Sequence, residues 1–365
     1  MPADLARQRL LNQHACGDAL PTPRDVVRHL GAVQAQDYRG GLWAVGLRAR
    51  GADESTVEKA LADRSILRTW PMRGTLHLVA SEDARWMLRL LAPRVVAGLA
   101  GRYRQLELEP AAFVRAGKVF EKALRGGSQL TREEMYGLLQ AARITPKGQR
   151  GIHILQRLSQ DGVLCFGPRK GKQQTFVLLD EWIPQAGPRP RDDALAELAL
   201  RYFCSHGPAT ARDFAWWTGL TLRDANAGLS AAAARLGDDS FGGRHYWGPQ
   251  AGFTTASLKP MGLLLPPFDE LLVAYRDRGA ALDPAHAVHL ASLLSPTIAV
   301  RGRIVGTWTR TLARDTVKVA ARLFSDGNDS ELRAIRSAAR RYGAFIGSTT
   351  VVVEPRSPKS VVRNS

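Results

Sequence analysis

"TREEMYGLLQAA" (Thr131–Ala142) decides how this 365-residue chain is read. Thr131 stands ahead of an apolar-periodic run, and Glu134 follows three positions later. The threonine side chain accepts from the orphan amides of a helix start, and the glutamate reaches back, which makes a capping box. Before it lies "FVRAGKVFEKALRGGS" (113–128), helical in period; after it lies "KGQRGIHILQRLSQDG" (147–162), helical again. Two strand-like pieces follow, "VLCFG" (163–167) and "QQTFVLLDEW" (173–182), joined by the basic turn "PRKGKQ". Helix, capped helix, helix and a two-stranded basic hairpin is the order of a winged helix.

The order recurs on both sides. "TARDFAWWTGL" (Thr210, Asp213) is preceded by "DDALAELALRYFCSHG" and followed by "TLRDANAGLSAAAARLG" and the turn-rich "FGGRHYWGP". "TPRDVVRHLGAV" (Thr22, Asp25) lies between "ADLARQRLLNQHA" and "STVEKALADRS", ahead of "ILRTWPMRGTLHLVA". The two aspartate versions read as weaker caps than the Glu134 box. Capped three-helix runs also occur in other helical proteins, so the pattern alone leaves a plain helical reading open. A Pro-rich linker is expected from Ile183 to Asp193. From about Phe253 the chain turns to apolar stretches of strand length, with one helical piece, "NDSELRAIRSAARRYGAFIG" (328–347). The expectation is an α+β protein: winged-helix units at 1–100, 101–185 and 190–252, then a β-rich, barrel-like domain at 253–365.

Composition narrows the partners. Lys plus Arg number 51 against 34 Asp plus Glu, a formal +17, which attracts polyanions, double-stranded DNA before an anionic membrane. The preference for Arg over Lys also fits a GC-rich genome. Cys16, Cys165 and Cys204 lie far apart and form no CxxC pair, so neither a disulfide framework nor a thiolate metal site is expected. "MPADLARQRLL" lacks the apolar core of a signal peptide, and no apolar run is long enough to span a bilayer. A cytoplasmic monomer without a membrane partner is the expectation. Phosphate-loop, dinucleotide, zinc-protease and serine-elbow motifs are absent, and no cofactor or metal is expected.

Several residues are weighed singly. His286 and His289 are spaced to share a helix face, but without a third ligand nearby a structural or solvated role is favoured. Asp269 and Glu270 in "LLPPFDELLVAY" read as capping acids or partners of Arg276 and Arg278, with a buried catalytic role as the alternative. Trp216 and Trp217 share helical spacing with Phe214 and read as core. In the basic turn, Arg169, Lys170 and Lys172 are candidate phosphate contacts, as likewise is Arg276; a merely solvated turn is equally open. Arg68, Trp70, Arg73 and His77 alternate in "LRTWPMRGTLH" and are read as lining a DNA-facing side, or as an ordinary sheet face.

"GAVQAQDYRGG" (Gly31–Gly41) carries Gln34 and Gln36 among apolar residues and glycines. In an extended segment two residues two apart project to one side, so a loop or irregular turn assisted by Gly40 and Gly41 is expected. An amide takes no proton at neutral pH, but it accepts from water and donates to phosphate or sugar oxygen, which orients reactants. The plainer reading is a pair of glutamines satisfying backbone groups in a turn.

Taken together, "GAVQAQDYRGGLWAVGLR", "LRTWPMRGTLHLV", "HGPATARDFAWWTGL", "LLPPFDELLVAYRDR" and "RIVGTWTRT" resemble, in order and over essentially the whole chain, the AlkZ-type winged-helix DNA glycosylases. The resemblance implies tandem winged helices and a C-terminal β-barrel forming a concave DNA-binding surface. It implies excision of alkylated bases, with interstrand crosslinks unhooked in an antibiotic self-resistance branch. The family divides on a short motif, Gln-apolar-Gln or Gln-apolar-Asp. Gln34-Ala35-Gln36 matches the first, and the resemblance assigns catalysis to Gln34 and Gln36; Asp37 comes one position too late for the second. Such amides suit a cationic purine that already leaves readily, N7-alkylguanine above all. No lysine adjoins them, so a monofunctional hydrolase is expected. The alternatives are a non-enzymatic winged-helix DNA-binding regulator and a damage-recognition protein that releases nothing.

Overall fold

The computed structural model describes residues 2–183, 189–252, 261–287 and 295–356, together with Gln185, Gly187 and Leu290. The chain begins with helices α1 (Pro2–Asn12) and α2 (Pro23–Leu30), a short strand β1 (Val33–Gln34), and helices α3 (Tyr38–Gly46) and α4 (Glu54–Ala62). The hairpin β2 (Ile66–Met72) and β3 (Thr75–Ala80) follows, then α5 (Ser81–Gly98) and α6 (Ala100–Gln105). Next come α7 (Pro110–Leu124), β4 (Leu130–Thr131), α8 (Arg132–Ala141), α9 (Arg150–Gln160), β5 (Leu164–Lys170), β6 (Gln173–Leu178) and α10 (Leu179–Trp182). A further run holds α11 (Arg191–His206), α12 (Ala211–Thr218), α13 (Leu222–Ala232), β7 (Leu236–Phe241) and β8 (Arg244–Pro249). The C-terminal part has β9 (Gly262–Leu265), α14 (Glu270–Val273), α15 (Pro284–Ala287), β10 (Thr297–Val300), β11 (Arg303–Ala313), β12 (Thr316–Leu323), α16 (Asp329–Phe345) and β13 (Thr350–Arg356).

The caps form where the sequence placed them, with one difference in strength. Thr131 and Glu134 make the full reciprocal box, and so do Thr210 and Asp213. The shorter aspartate reaches back because Asp213 is buried and held against Thr210 N and Oγ1 at 3.0 and 2.8 Å. Thr22 accepts from Asp25 N without a backward bond to its own amide.

The first two hairpins are not separate flaps. Register Arg68↔Phe166 joins β2 to β5, giving one six-stranded sheet in the order β1-β3-β2-β5-β6-β4. Every residue of β2 is buried, since the strand lies inside this sheet with helices packed on it.

The C-terminal part differs from the expected barrel. Its five strands run β13-β12-β11-β10-β9, and among the described residues β9 and β13 are open edges. The reason is geometric: β13 returns parallel to β12 after helix α16, and α16 packs against β9, β10 and β13. Tyr342 of α16 packs edge-on between Trp308 and Trp43, with ring centroids 5.0 and 5.2 Å apart. Trp43 Nε1 of α3 donates to Leu264 O of β9, and Trp308 Nε1 donates to Leu265 O. One apolar core therefore runs from Ala6–Leu78 into Leu263–Phe345. The N-terminal segment and the C-terminal sheet hold each other. Parts of the Pro-rich segment before Arg191, and His289 of the histidine pair, lie outside the described residues.

Candidate active site

The motif Gln34-Ala35-Gln36 extends β1 along the edge of the sheet. Gln34 pairs with His77 of β3, and Ala35 N donates to Leu76 O at 2.8 Å. Strand alternation buries Val33 and Ala35 in the core and sends both glutamines to the other side. Ala35 is fixed three ways. Its carbonyl accepts from Arg68 Nε and Nη2 at 3.0 and 2.8 Å, its amide is in the ladder, and its Cβ lies against α3. Gly41 makes that last contact possible: a Cβ there would sit 2.6 Å from Ala35 Cβ. Gly40 and Gly41 belong to helix α3 rather than to the turn, and Asp37 caps that helix by accepting from Gly40 N at 2.5 Å.

Each glutamine oxygen is held by a protein donor. Gln34, 6% exposed, accepts through Oε1 from Arg73 Nη2 at 2.8 Å. Gln36, exposed, accepts through Oε1 from Leu76 N at 3.1 Å, continuing the ladder with a side chain where the backbone pairing ends. Because a guanidinium and a backbone N–H only donate, these contacts fix which way each amide faces.

Behind Gln34 stands a buried polar cluster. Arg73 also donates to Trp217 O, and its Nη2 lies 3.4 Å from His77 Nε2. His77 Nδ1 donates to Thr75 O at 3.0 Å, leaving Nε2 as the lone pair that faces Arg73. Burial, and then the Arg73 charge, lower His77 to about 3, so it is neutral in this cluster. Burial also lowers Arg73, partly offset by Glu270. Glu270, 1% exposed, accepts from Gln34 N at 3.2 Å and from Trp217 Nε1 at 3.0 Å, with His206 Nε2 at 3.3 Å. Burial alone would raise its carboxyl, but the bond and charge of His206 together with Arg73 hold it below the ordinary glutamate value. Phe268, two residues earlier, is held at φ 62°, a left-handed backbone that aims Asp269 and Glu270 inward.

The two acids of that segment divide their roles. Asp269 caps α14 and forms a two-pronged buried pair with Arg48, at 3.1 and 3.2 Å. Neither acid pairs with Arg276 or Arg278 as the sequence suggested. Arg276 N donates to Asp213 Oδ1, and Arg278 lies over the Trp216 ring at 5.3 Å. Trp216 itself is 46% exposed, contrary to the core reading, whereas Trp217 is fully buried.

Gln36 lines an open cleft of about 1340 Å³ that runs from the β2–β3 hairpin to α8, α9 and the β5–β6 turn. Arg132, Lys147 and Lys172 line it and are exposed, as is Glu133. The other sequence candidates sort by burial. Lys170 is 71% exposed, 3.7 Å from Glu134. Arg169 is drawn back to Glu58 at 3.3 Å and lies over Tyr38. Arg68 is 5% exposed and supports Ala35; burial lowers its guanidinium to about 10. Trp70 packs tilted on Phe166, ring centroids 5.0 Å apart, in a core cluster and also lines the cleft. His77 is fully buried and lies behind the glutamines rather than on an open face. Arg276 belongs to a different cleft, beside Arg212, Arg244 and Trp247. His286 packs on Phe324, and no group of three metal-ligating side chains occurs among the described residues. No described helix is long and apolar enough to cross a membrane.

Sequence reasoning missed the supports from afar, Trp217, His206 and Arg48. Only the acids after "LLPP" were flagged, by their place at the edge of an apolar run.

The chain is similar to known proteins in both sequence and fold. A curated protein of Streptomyces sahachiroi, named an interstrand DNA cross-link repair glycosylase, is 29% identical over 311 residues, 79% of this chain and 82% of that one. The solved structure of S. sahachiroi DNA glycosylase AlkZ has the same fold, with a TM-score of 0.81 over 97% of this chain and 99% of that chain, at 24% identity. The family described as DNA glycosylase AlkZ-like matches residues 27–345, a span that takes in both glutamines, Arg73 and Glu270. This chain belongs to the AlkZ-like DNA glycosylase family.

Proposed function

We propose that this DNA glycosylase hydrolyses the N-glycosidic bond of cationic alkylated purines in duplex DNA, of the N7-alkylguanine type, with Gln34 and Gln36 against the reacting nucleotide. The observation that carries the reading is a pair of anchored amides, Gln36 lining an open basic cleft and Gln34 beside it on the same strand, with the two acids that adjoin the motif already engaged. Asp37 is tied to the start of α3, and Glu270 is buried behind the strand. A site that positions without a strong base suits a bond already inclined to break. The purine carries its charge in the ground state and leaves neutral.

The open cleft of about 1340 Å³ leaves room for a substituent too large for a closed base pocket, and the name of the S. sahachiroi relative makes interstrand crosslinks the first bulky lesion to test. Lys172, Lys170, Arg132 and Lys147 are the proposed phosphate contacts. The repeated order of helix, capped helix, helix and hairpin at α7–β6 and α11–β8 supports winged-helix units near 101–185 and 190–252, with a third at 1–100 and a C-terminal sheet domain from about 253. The proposed working form is a monomer.

The test is a panel of duplexes bearing N7-methylguanine, uracil or an N7–N7 interstrand crosslink, with borohydride trapping alongside. Release of N7-methylguanine, no release of uracil and no trapped adduct are expected. Efficient uracil release with N7-methylguanine left intact would contradict the substrate class.

A further inference from the structure

We infer that Gln34 and Gln36 act on the lesion as a pair of hydrogen-bond donors, through Nε2, to lone pairs on the edge of the departing purine, and not as acceptors that hold a water. The inference rests on the substrate class proposed above. An amide has one oxygen and one NH2, and here both oxygens are held by groups that only donate: Arg73 Nη2 on Gln34 and Leu76 N on Gln36. Turning either amide over would set NH2 against N–H. Among the described residues no protein acceptor takes either Nε2, and Gln36 lines the cleft. The two residues share one side of the strand, with Gln36 at the cleft and Gln34, 6% exposed, next to it on that side. Arg73 adds polarity: its guanidinium on Oε1 draws electron density from the amide and makes the Gln34 N–H a stronger donor.

Donors suit the electron flow of this reaction. The C1′–N9 bond breaks with its electron pair passing to N9, the purine cation becomes a neutral base, and the sugar becomes an oxocarbenium. Water then adds at C1′ and its proton goes to solvent. As the base loses its positive charge, its O6 and N3 lone pairs become better acceptors. Hydrogen bonds given to them therefore strengthen towards the transition state. An amide oxygen facing the base would do the reverse, favouring the cation before it reacts.

Gln→Glu at each position isolates the point. A glutamate keeps one oxygen for Arg73 or Leu76 N and replaces only the outward NH2 with an oxygen. Gln34→Glu and Gln36→Glu are compared with wild type for single-turnover release of N7-methylguanine at saturating protein, with DNA binding and thermal unfolding measured in parallel. A loss of about tenfold or more in the rate at saturation is expected for each. The ratio of variant to wild-type rate should rise as the pH is lowered through the carboxyl titration, because a protonated glutamate regains a donor. Glutamate variants as fast as wild type, or a ratio that falls with pH, would overturn the inference while leaving the glycosylase reading in place. Wild type inactive on N7-methylguanine would remove the substrate class on which it rests. If a glutamate variant unfolds, Gln→Met at the same position replaces it, and a rate equal to wild type there overturns the inference.

Discussion

Arg73 reaches Gln34 from 39 residues along the chain, and its Nη2 donates to Gln34 Oε1 at 2.8 Å. The arginine sits at φ 53° in the tight β2–β3 turn, a left-handed backbone followed by Gly74 at φ 71°. The turn aims the guanidinium at Gln34, and Trp217 O takes its other arm. A lysine has one ammonium and cannot span both acceptors with a planar fork. Arg73→Lys is expected to slow N7-methylguanine release by about ten- to a hundredfold, the worth of one charge-assisted hydrogen bond, with little change in DNA affinity. Single-turnover rates beside binding isotherms check this.

Gly41 sets how closely α3 approaches the motif. An alanine there would place its Cβ 2.6 Å from Ala35 Cβ and 3.1 Å from Ala35 Cα. Neither neighbour is a flexible side-chain end, so the strand itself must move. Gly41→Ala is expected to cost about 1–3 kcal/mol of stability and to lower excision by about ten- to a hundredfold. Urea unfolding and single-turnover excision, measured on the same preparation, separate the two effects.

How far the sequence carried the reading depends on the range of the interactions. Caps are local, so Thr131–Glu134 and Thr210–Asp213 were legible from four residues each. The period-two placement of Gln34 and Gln36 was legible too, since it needs only an extended backbone. What was not legible is pairing across the chain. Arg68, Arg73 and His77 alternate like a DNA-facing strip, yet β2 lies inside the sheet between β3 and β5 with helices packed on it, and the side chains turn inward, Arg68 to Ala35, Arg73 to Gln34 and His77 to Arg73. The open C-terminal sheet escaped for the same reason: its shape depends on where α16 packs, which apolar alternation does not record.

The Arg48–Asp269 pair ties α3's end to the start of α14, 221 residues apart, with both side chains at 0–1% exposure. Removing the guanidinium leaves a buried carboxylate uncompensated. Arg48→Ala is expected to lower stability by about 3–5 kcal/mol. Chemical denaturation reads this directly, and a loss below 1 kcal/mol would show that the pair contributes little.

Acid sensitivity follows from His77. Its folded value, about 3, lies below the ordinary 6.5, so the folded state favours the neutral ring. The unfolded chain binds a proton first as pH falls. The stability tied to the neutral ring is intact above about pH 6.5 and is lost as pH falls from there towards 3. His29, lowered to about 4 chiefly by burial, acts in the same direction. Urea midpoints at pH 7 and pH 5 should fall less for His77→Gln than for wild type.

The central claim is that two anchored amides carry base excision. Its most direct test is single-turnover release of N7-methylguanine by wild type and by the Gln34→Ala, Gln36→Ala double variant, at protein concentrations where both saturate the duplex. The account predicts alkali-revealed abasic sites from wild type and none above background from the variant at equal binding. Equal rates from the two proteins would contradict it and move the chemistry away from the glutamines.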